Sequence, residues 1–113
     1  MSNCLFCKII NKEIPAKIIF ENDFIIVFQD IHPKAPVHLL MVPKQHIALV
    51  NELNTVNIHF ISEIFLQVKN IAKEQGIDQT GYRLVVNSGP DSGQEVQHLH
   101  WHLLGGKKLA GIG

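Results

Sequence analysis

The run His98-Leu99-His100-Trp101-His102-Leu103 sets three imidazoles at alternate positions. In extended backbone successive side chains point to opposite faces. The spacing therefore predicts a strand with its histidines on one face and Leu99, Trp101 and Leu103 on the other, toward a core. Same-face neighbours on a strand lie about 7 Å apart, so His98 and His102 would not touch, but the three rings together could embrace a small tetrahedral anion. Imidazole titrates near about pH 6.5 and is mostly neutral and nucleophilic around neutrality, yet easily protonated. A neutral central histidine can attack phosphorus while a protonated neighbour donates to phosphate oxygens or to a leaving group. The chemistry this pattern suits is phosphate chemistry on a nucleotide.

Seven histidines in 113 residues is about three times the share of an ordinary soluble chain. A single histidine on a half-exposed strand reads as surface polarity, whereas three in strict alternation do not. The preceding stretch, Asn87-Ser88-Gly89-Pro90-Asp91-Ser92-Gly93-Gln94-Glu95, is a loop in which Gly93 permits close backbone approach to a ligand and successive N–H groups can form an anion nest.

The elements that must hold this strand follow from composition and periodicity. A chain of 113 residues, 46% apolar and 18% charged, suits one globular domain over residues 1–113. Ten basic and ten acidic residues cancel, which argues against a nucleic-acid footprint or an anionic-membrane partner. No apolar run approaches the roughly 20 residues of a bilayer span, and Met1-Ser2-Asn3-Cys4 has no leader character, so a cytoplasmic location is expected. Cys4 to Asn11 reads as a short helix with Asn3 as its cap and Pro15 as its stop. Lys17 to Glu21 and Phe24 to Gln29, separated by Asn22-Asp23, read as a hairpin. Asp30 to Pro36 is a loop and Val37 to Val42 a buried-type strand. Thr55 to Gln75 is the one clear helix, with an apolar stripe of Val56, Phe60, Ile64, Val68 and Ile71 widened by Ile61, Phe65 and Ala72, a cap at Thr55 and a stop at Gly76. Tyr82 to Asn87 and Val96 to Leu104 are strands, the latter closed by Gly105-Gly106. The order β-β-β-α-β-β predicts an α+β fold, an antiparallel sheet with one main helix on one face.

These residues resemble a known family. His98-Leu99-His100-Trp101-His102-Leu103-Leu104 is similar to the His-x-His-x-His signature of the histidine triad (HIT) superfamily. Asp30-Ile31-His32-Pro33-Lys34-Ala35-Pro36-Val37-His38 and Val42-Pro43-Lys44-Gln45-His46-Ile47 resemble the corresponding block of its Hint branch. So do Cys4-Leu5-Phe6-Cys7-Lys8-Ile9-Ile10, Glu13-Ile14-Pro15-Ala16, Val85-Val86-Asn87 and Gly105-Gly106. The resemblance implies a five-stranded antiparallel sheet with helices and a homodimer whose sheets join edge to edge. It implies a purine nucleotide hydrolase that cleaves adenosine 5′-phosphoramidates or aminoacyl adenylates and releases AMP through a covalent nucleotidyl-histidine. By position, His100 is the nucleophile, His102 contacts phosphate and leaving group, and His38 is a fourth histidine that helps orient the site; His98 completes the catalytic set. Asp30 and Ile31 meet ribose and base, His32 borders the base pocket, and Asn87, Gly93 and Gln94 line the phosphate pocket. The chain departs from the pattern at Glu95, where the best-known members carry Ser; Glu95 faces the substrate there without a catalytic role, and leaving-group preference is open.

Cys4-x-x-Cys7 has the spacing of half a tetrahedral zinc site. The resemblance implies that His46 and His98 complete it as a structural zinc, with no metal needed for the chemistry. The alternative is a pair of reduced thiols; a redox pair would be expected after a strand in a βαβ unit, which is not the pattern here. If zinc holds His98, that residue anchors the strand and is not free for acid–base work. Two other functional readings stand beside the first: a dinucleoside-polyphosphate hydrolase of the same superfamily, and a nucleotide-binding scaffold with little turnover. His59 reads as a surface residue and Lys107-Lys108 as solvated tail.

Overall fold

The computed structural model describes residues 4–112, so an Asn3 cap lies outside the described residues. The elements are α1 (Leu5–Ile10), β1 (Ile18–Glu21), β2 (Ile25–Gln29), β3 (Val37–Pro43), α2 (Ile58–Glu74), β4 (Tyr82–Val86) and β5 (Trp101–Gly105), with short 3-10 turns at Val50–Glu52 and Pro90–Ser92. The five strands form one antiparallel sheet in the order β1-β2-β3-β5-β4. The expected α+β architecture is the one observed.

Alternation along the central strands sorts two cores. Ile25, Val27, Leu39, Met41, Leu99, Trp101 and Leu103 face α2, where Ile61, Ile64, Val68, Ile71 and Ala72 cover them. Ile26, Phe28, Leu40 and Val42 face the other way and are covered by Phe6 and Ile9 of α1. With both faces covered, β2 and β3 read as continuous apolar runs. The hairpin turn forms as its sequence suggests: the Asn22 side-chain oxygen accepts from the Phe24 and Ile25 N–H groups at 2.8 and 3.0 Å.

Several boundaries differ from the sequence reading. The helix α2 begins at Ile58, with Asn57 rather than Thr55 at the cap position. Asn54 and Asn57 bond each other's backbone there, Asn54 Oδ1 accepting from the Val56 and Asn57 N–H groups and Asn57 Oδ1 from that of Asn54. Val56 therefore precedes the helix and is 77% exposed, and Phe65 lies on the flank at 53%. The stop at Gly76 is as expected: with φ +75° it closes a Schellman motif, its N–H on Lys73 O and that of Ile77 on Ala72 O. The helix α1 ends before Pro15 by the same device, with Lys12 (φ +63°) at the left-handed position, its N–H on Ile9 O and that of Glu13 on Lys8 O.

The largest correction concerns the histidine strand. It starts at Trp101, not Val96, so His98 and His100 precede the ladder and only His102 lies within it. The cause is local. The strand β3 ends at Pro43, which has no N–H to donate. The Pro43 carbonyl accepts from His98 Nε2 at 2.8 Å, and the Leu99 N–H donates to Ile47 O at 2.7 Å, outside the sheet. The faces still alternate, since Leu99 joins the α2 core while Phe6 of α1 packs against His98 and His100.

Candidate active site and Cys/His cluster

On the α1 face the sheet register brings His102 of β5 opposite Leu40 of β3, two residues from His38. The rings of His38 and His102 lie 5.2 Å apart and those of His100 and His102 5.0 Å apart. The backbone assigns the protons. The Lys34 N–H donates to His38 Nδ1 at 3.1 Å, so the His38 proton is on Nε2. That N–H donates to His102 Nδ1 at 2.9 Å, with Asp30 Oδ2 3.4 Å away, and the His102 proton is left on Nε2. His100 Nδ1–H donates to the His98 carbonyl at 2.8 Å, which leaves the lone pair on His100 Nε2.

All these imidazoles are held neutral. Burial lowers His100, opposed by its bond to His98 O and by the carboxylates of Asp30 and Glu95. Burial and then the neighbouring His100 and His38 push His102 down to about 4. Burial also lowers His38 against the pull of Asp30. A neutral imidazole with an unprotonated Nε2 is a nucleophile, and one with Nε2–H is a hydrogen-bond donor. His100 and His102 therefore differ in capability although both are neutral.

His98 does not join them around an anion, contrary to the embrace that alternation suggested. It is fully buried, with Nε2–H on the Pro43 carbonyl and Nδ1 facing two sulfurs, Cys4 Sγ at 3.3 Å and Cys7 Sγ at 3.6 Å. His46 Nδ1 lies 3.3 Å from Cys7 Sγ, and the four donor atoms of Cys4, Cys7, His46 and His98 are all within 4.8 Å of one another. Zinc bonds of about 2.3 Å to sulfur and 2.0–2.1 Å to nitrogen give a tetrahedral S···N edge of about 3.6 Å, so the group is close to a tetrahedral site. Burial, then the Cys4 thiol, pushes Cys7 up to about 11; coordination by a metal ion would reverse that, because a bound thiol is deprotonated outright. Asp30, His38 and His102 form a second group of donors.

The other residues expected at the site have the following surroundings. Asp30 Oδ1 accepts from the His32 N–H at 2.8 Å, and Ile31, at 85%, and His32 are both exposed beside it. Asn87 Nδ2 donates to Ser92 O at 2.7 Å and steadies the glycine-rich loop, which Gly93 closes through its N–H to Pro90 O. Gln94 is expected to line the phosphate pocket. Its side chain is buried, with Nε2 on the carbonyls of Ala48 and Val96 and Oε1 on the Gly89 N–H, so it clamps the loop to the segment after His46. Glu95 is exposed at the loop's end. Phe6 and the Pro43 carbonyl went unassigned in the sequence reading. An aromatic in a short amphipathic helix carries no sign of a site, and a backbone carbonyl carries none at all.

A cluster of His38, His100 and His102 beside a Cys/His group, on a five-stranded antiparallel sheet, defines the class of the molecule. The family profile described as scavenger mRNA decapping enzyme C-term binding matches residues 3–111. A histidine triad protein from Clostridium difficile is 44% identical, with a TM-score of 0.95 over 100% of this chain and 98% of that one. A HIT family hydrolase from Legionella pneumophila is 47% identical, with a TM-score of 0.92 over 96% of each. The purine nucleoside phosphoramidase of Escherichia coli K12 is 40% identical over 105 residues, 93% of this chain and 88% of that protein. The chain belongs to the histidine triad family and is a hydrolase. No helix among the described residues is long and apolar enough to cross a membrane.

Proposed function

We propose that the protein cleaves the P–N bond of adenosine 5′-phosphoramidates, or the acyl-phosphate bond of aminoacyl adenylates, and releases AMP. The observation that carries this reading is the different proton placement on the two neighbouring rings, with a lone pair on His100 Nε2 and a proton on His102 Nε2. In the first step His100 Nε2 attacks the α-phosphorus and the bond from phosphorus to the leaving nitrogen breaks. That nitrogen takes the Nε2 proton of His102, which solvent replaces, while His38 holds His102 Nδ1 in place; in an aminoacyl adenylate the bond to the carboxylate oxygen breaks instead and the carboxylate leaves without a proton. In the second step water attacks the phosphorus, its surplus proton returns to solvent, and the phosphorus–His100 bond breaks to free AMP. Asp30 accepts from ribose hydroxyls and Ile31 meets the base, while Asn87 and the backbone at Gly93 cradle the phosphate. Gln94 supports that loop and Glu95 borders the leaving group. The resemblance of the phosphoramidase relative supports the substrate class.

Cys4, Cys7, His46 and His98 are proposed to hold a structural zinc, supported by the mutual closeness of their donor atoms and by the Pro43 carbonyl, which leaves His98 Nδ1 as a free lone pair. The zinc would tie α1 to the start of the histidine segment. A homodimer is supported by β4, an edge strand, and by exposed Phe65, Tyr82 and Val86. The chain acts as one domain, and its thiols suit the reducing cytoplasm.

The test is a substrate panel of an adenosine phosphoramidate, an aminoacyl adenylate and diadenosine triphosphate, with wild type and His100→Ala in parallel and a mass-spectrometric search for AMP attached to His100. The expected result is fastest turnover of the phosphoramidate, an adduct on His100 and no turnover by the variant. Near-wild-type turnover by His100→Ala would overturn the mechanism, and preference for the dinucleotide would overturn the substrate class.

A further inference from the structure

Two carboxylates, Asp30 and Glu95, lie within electrostatic reach of His100, and both oppose the effect of burial on its ring. They differ in what they are free to do. Asp30 is engaged, with Oδ1 accepting from the His32 N–H at 2.8 Å and Oδ2 3.4 Å from His38 Nε2. Glu95 is exposed and takes part in none of the three ion pairs among the described residues.

The chain on either side of Glu95 is pinned. The Gln94 amide is held by the carbonyls of Ala48 and Val96, and Val96 packs against the α1-face cluster that contains Phe6, whose ring meets His100. The loop therefore fixes where the Glu95 backbone sits and leaves its side chain in solvent, beside a buried imidazole. A carboxylate here repels an anionic phosphate, so it disfavours a substrate whose only charge is that of the phosphate. Its sign favours a substrate with a positive charge beyond the reacting phosphorus. With the nucleoside along Asp30 and Ile31, the departing group is left to the side of the loop that ends at Glu95.

We propose that Glu95 determines specificity for the leaving group, favouring substrates whose departing amine or acyl group carries a second, cationic centre. This rests on the reading of the chain as a phosphoramidate or aminoacyl-adenylate hydrolase. Glu95 exchanges no proton in the reaction and acts by charge alone.

The experiment uses three adenosine 5′-phosphoramidates of matched size, made from ethylenediamine, propylamine and β-alanine, whose leaving groups carry a positive, no and a negative charge. Wild type is compared with Glu95→Gln and Glu95→Lys, with Asp91→Asn as a control that removes another exposed carboxylate of the same loop. The ratio of kcat/KM for the ethylenediamine compound to that for the propylamine compound is measured in each protein. Dividing one protein's ratio by another's cancels the different basicities of the amines. The wild-type ratio is expected to exceed that of Glu95→Gln by about two- to five-fold at low ionic strength, the range of an exposed ion pair. It should shrink in about 0.5 M salt. Glu95→Lys should shift preference toward the β-alanine compound, and Asp91→Asn should keep the wild-type ratio. Equal ratios in wild type and Glu95→Gln would overturn the proposal, as would the same shift in Asp91→Asn, which would mark a general surface field. The same compounds are titrated into His100→Ala with and without Glu95→Gln. If wild type turns over none of them, the hydrolase reading falls, and these affinities still decide separately whether Glu95 selects the cationic group.

Discussion

His100 Nδ1 lies 2.8 Å from the carbonyl oxygen of His98, two residues before it, and donates its proton there. The neighbouring His102 is turned the other way by a side chain instead of a carbonyl, with Nδ1 accepting from His38 Nε2. Two adjacent imidazoles of one motif are thus set to opposite tautomers by their partners, and the geometry distinguishes groups that the sequence writes alike.

Removing the donor to His102 should loosen its tautomer without touching His100. His38→Ala is expected to lower kcat for a phosphoramidate by about 10- to 100-fold, short of most of the roughly 10²–10⁴-fold of a direct general acid–base group because His38 acts through His102, while AMP still binds. Steady-state kinetics with a parallel AMP titration measures both.

Stability should depend on pH through the buried imidazoles. His102 is held at about 4 in the fold, mainly by burial, against about 6.5 in an unfolded chain. The unfolded state therefore binds more protons between these values, so this contribution is complete above about pH 6.5 and is lost as pH falls toward about 4. His38 and His100 shift in the same direction. Melting temperature should fall through that window, less steeply in His102→Gln, as thermal melts across pH would record.

Metal addition offers a separate check on the cysteine cluster. Zinc should raise the melting temperature, and its affinity should rise with pH through neutrality because binding displaces the proton of Cys7, whose thiol is pushed up to about 11. Calorimetry in buffers of different protonation enthalpy would count the protons released. Cys7→Ser should weaken zinc binding by at least roughly 10-fold.

Gly106 gives a test of the closing turn after β5. It has φ +92°, and a Cβ there would lie 2.9 Å from Pro36 Cβ. Gly106→Ala is expected to cost about 1–3 kcal/mol, or a drop of about 5 °C or more in melting temperature. Gly111→Ala, with nothing within 4 Å, should leave it within about 1 °C.

Period-two alternation made the face of each triad residue legible, because Leu99, Trp101 and Leu103 must reach the α2 core whether or not the backbone pairs. Where pairing begins was not legible. That depends on Pro43, which lies far away in the chain and lends its carbonyl to a histidine side chain. The start of α2 was misplaced for a similar reason, since Asn54 and Asn57 satisfy each other's backbone and leave Thr55 outside the helix. The Cys and His identities announced a metal-like group, but the three-dimensional closeness of Cys7 to His46, 39 residues on, could come only from the family resemblance or from the fold. The backbone partners of the Gln94 amide, the carbonyls of Ala48 and Val96 and the Gly89 N–H, were likewise not legible in the loop's sequence.

The sheet order places β3 beside β5, two strands far apart in the chain with α2 and β4 lying between them in sequence. Such a pairing must close a long loop, and distant contacts of this kind slow folding more than local ones do. The hairpin of β1 and β2 and the helix α2 can form from neighbouring residues, but the His38–His102 contact exists only once the ladder between β3 and β5 is in register. Catalytic competence is therefore a late acquisition of the chain. A partly folded population would carry much of its secondary structure and none of its activity, and the regain of turnover on refolding would report the closure of β3 on β5.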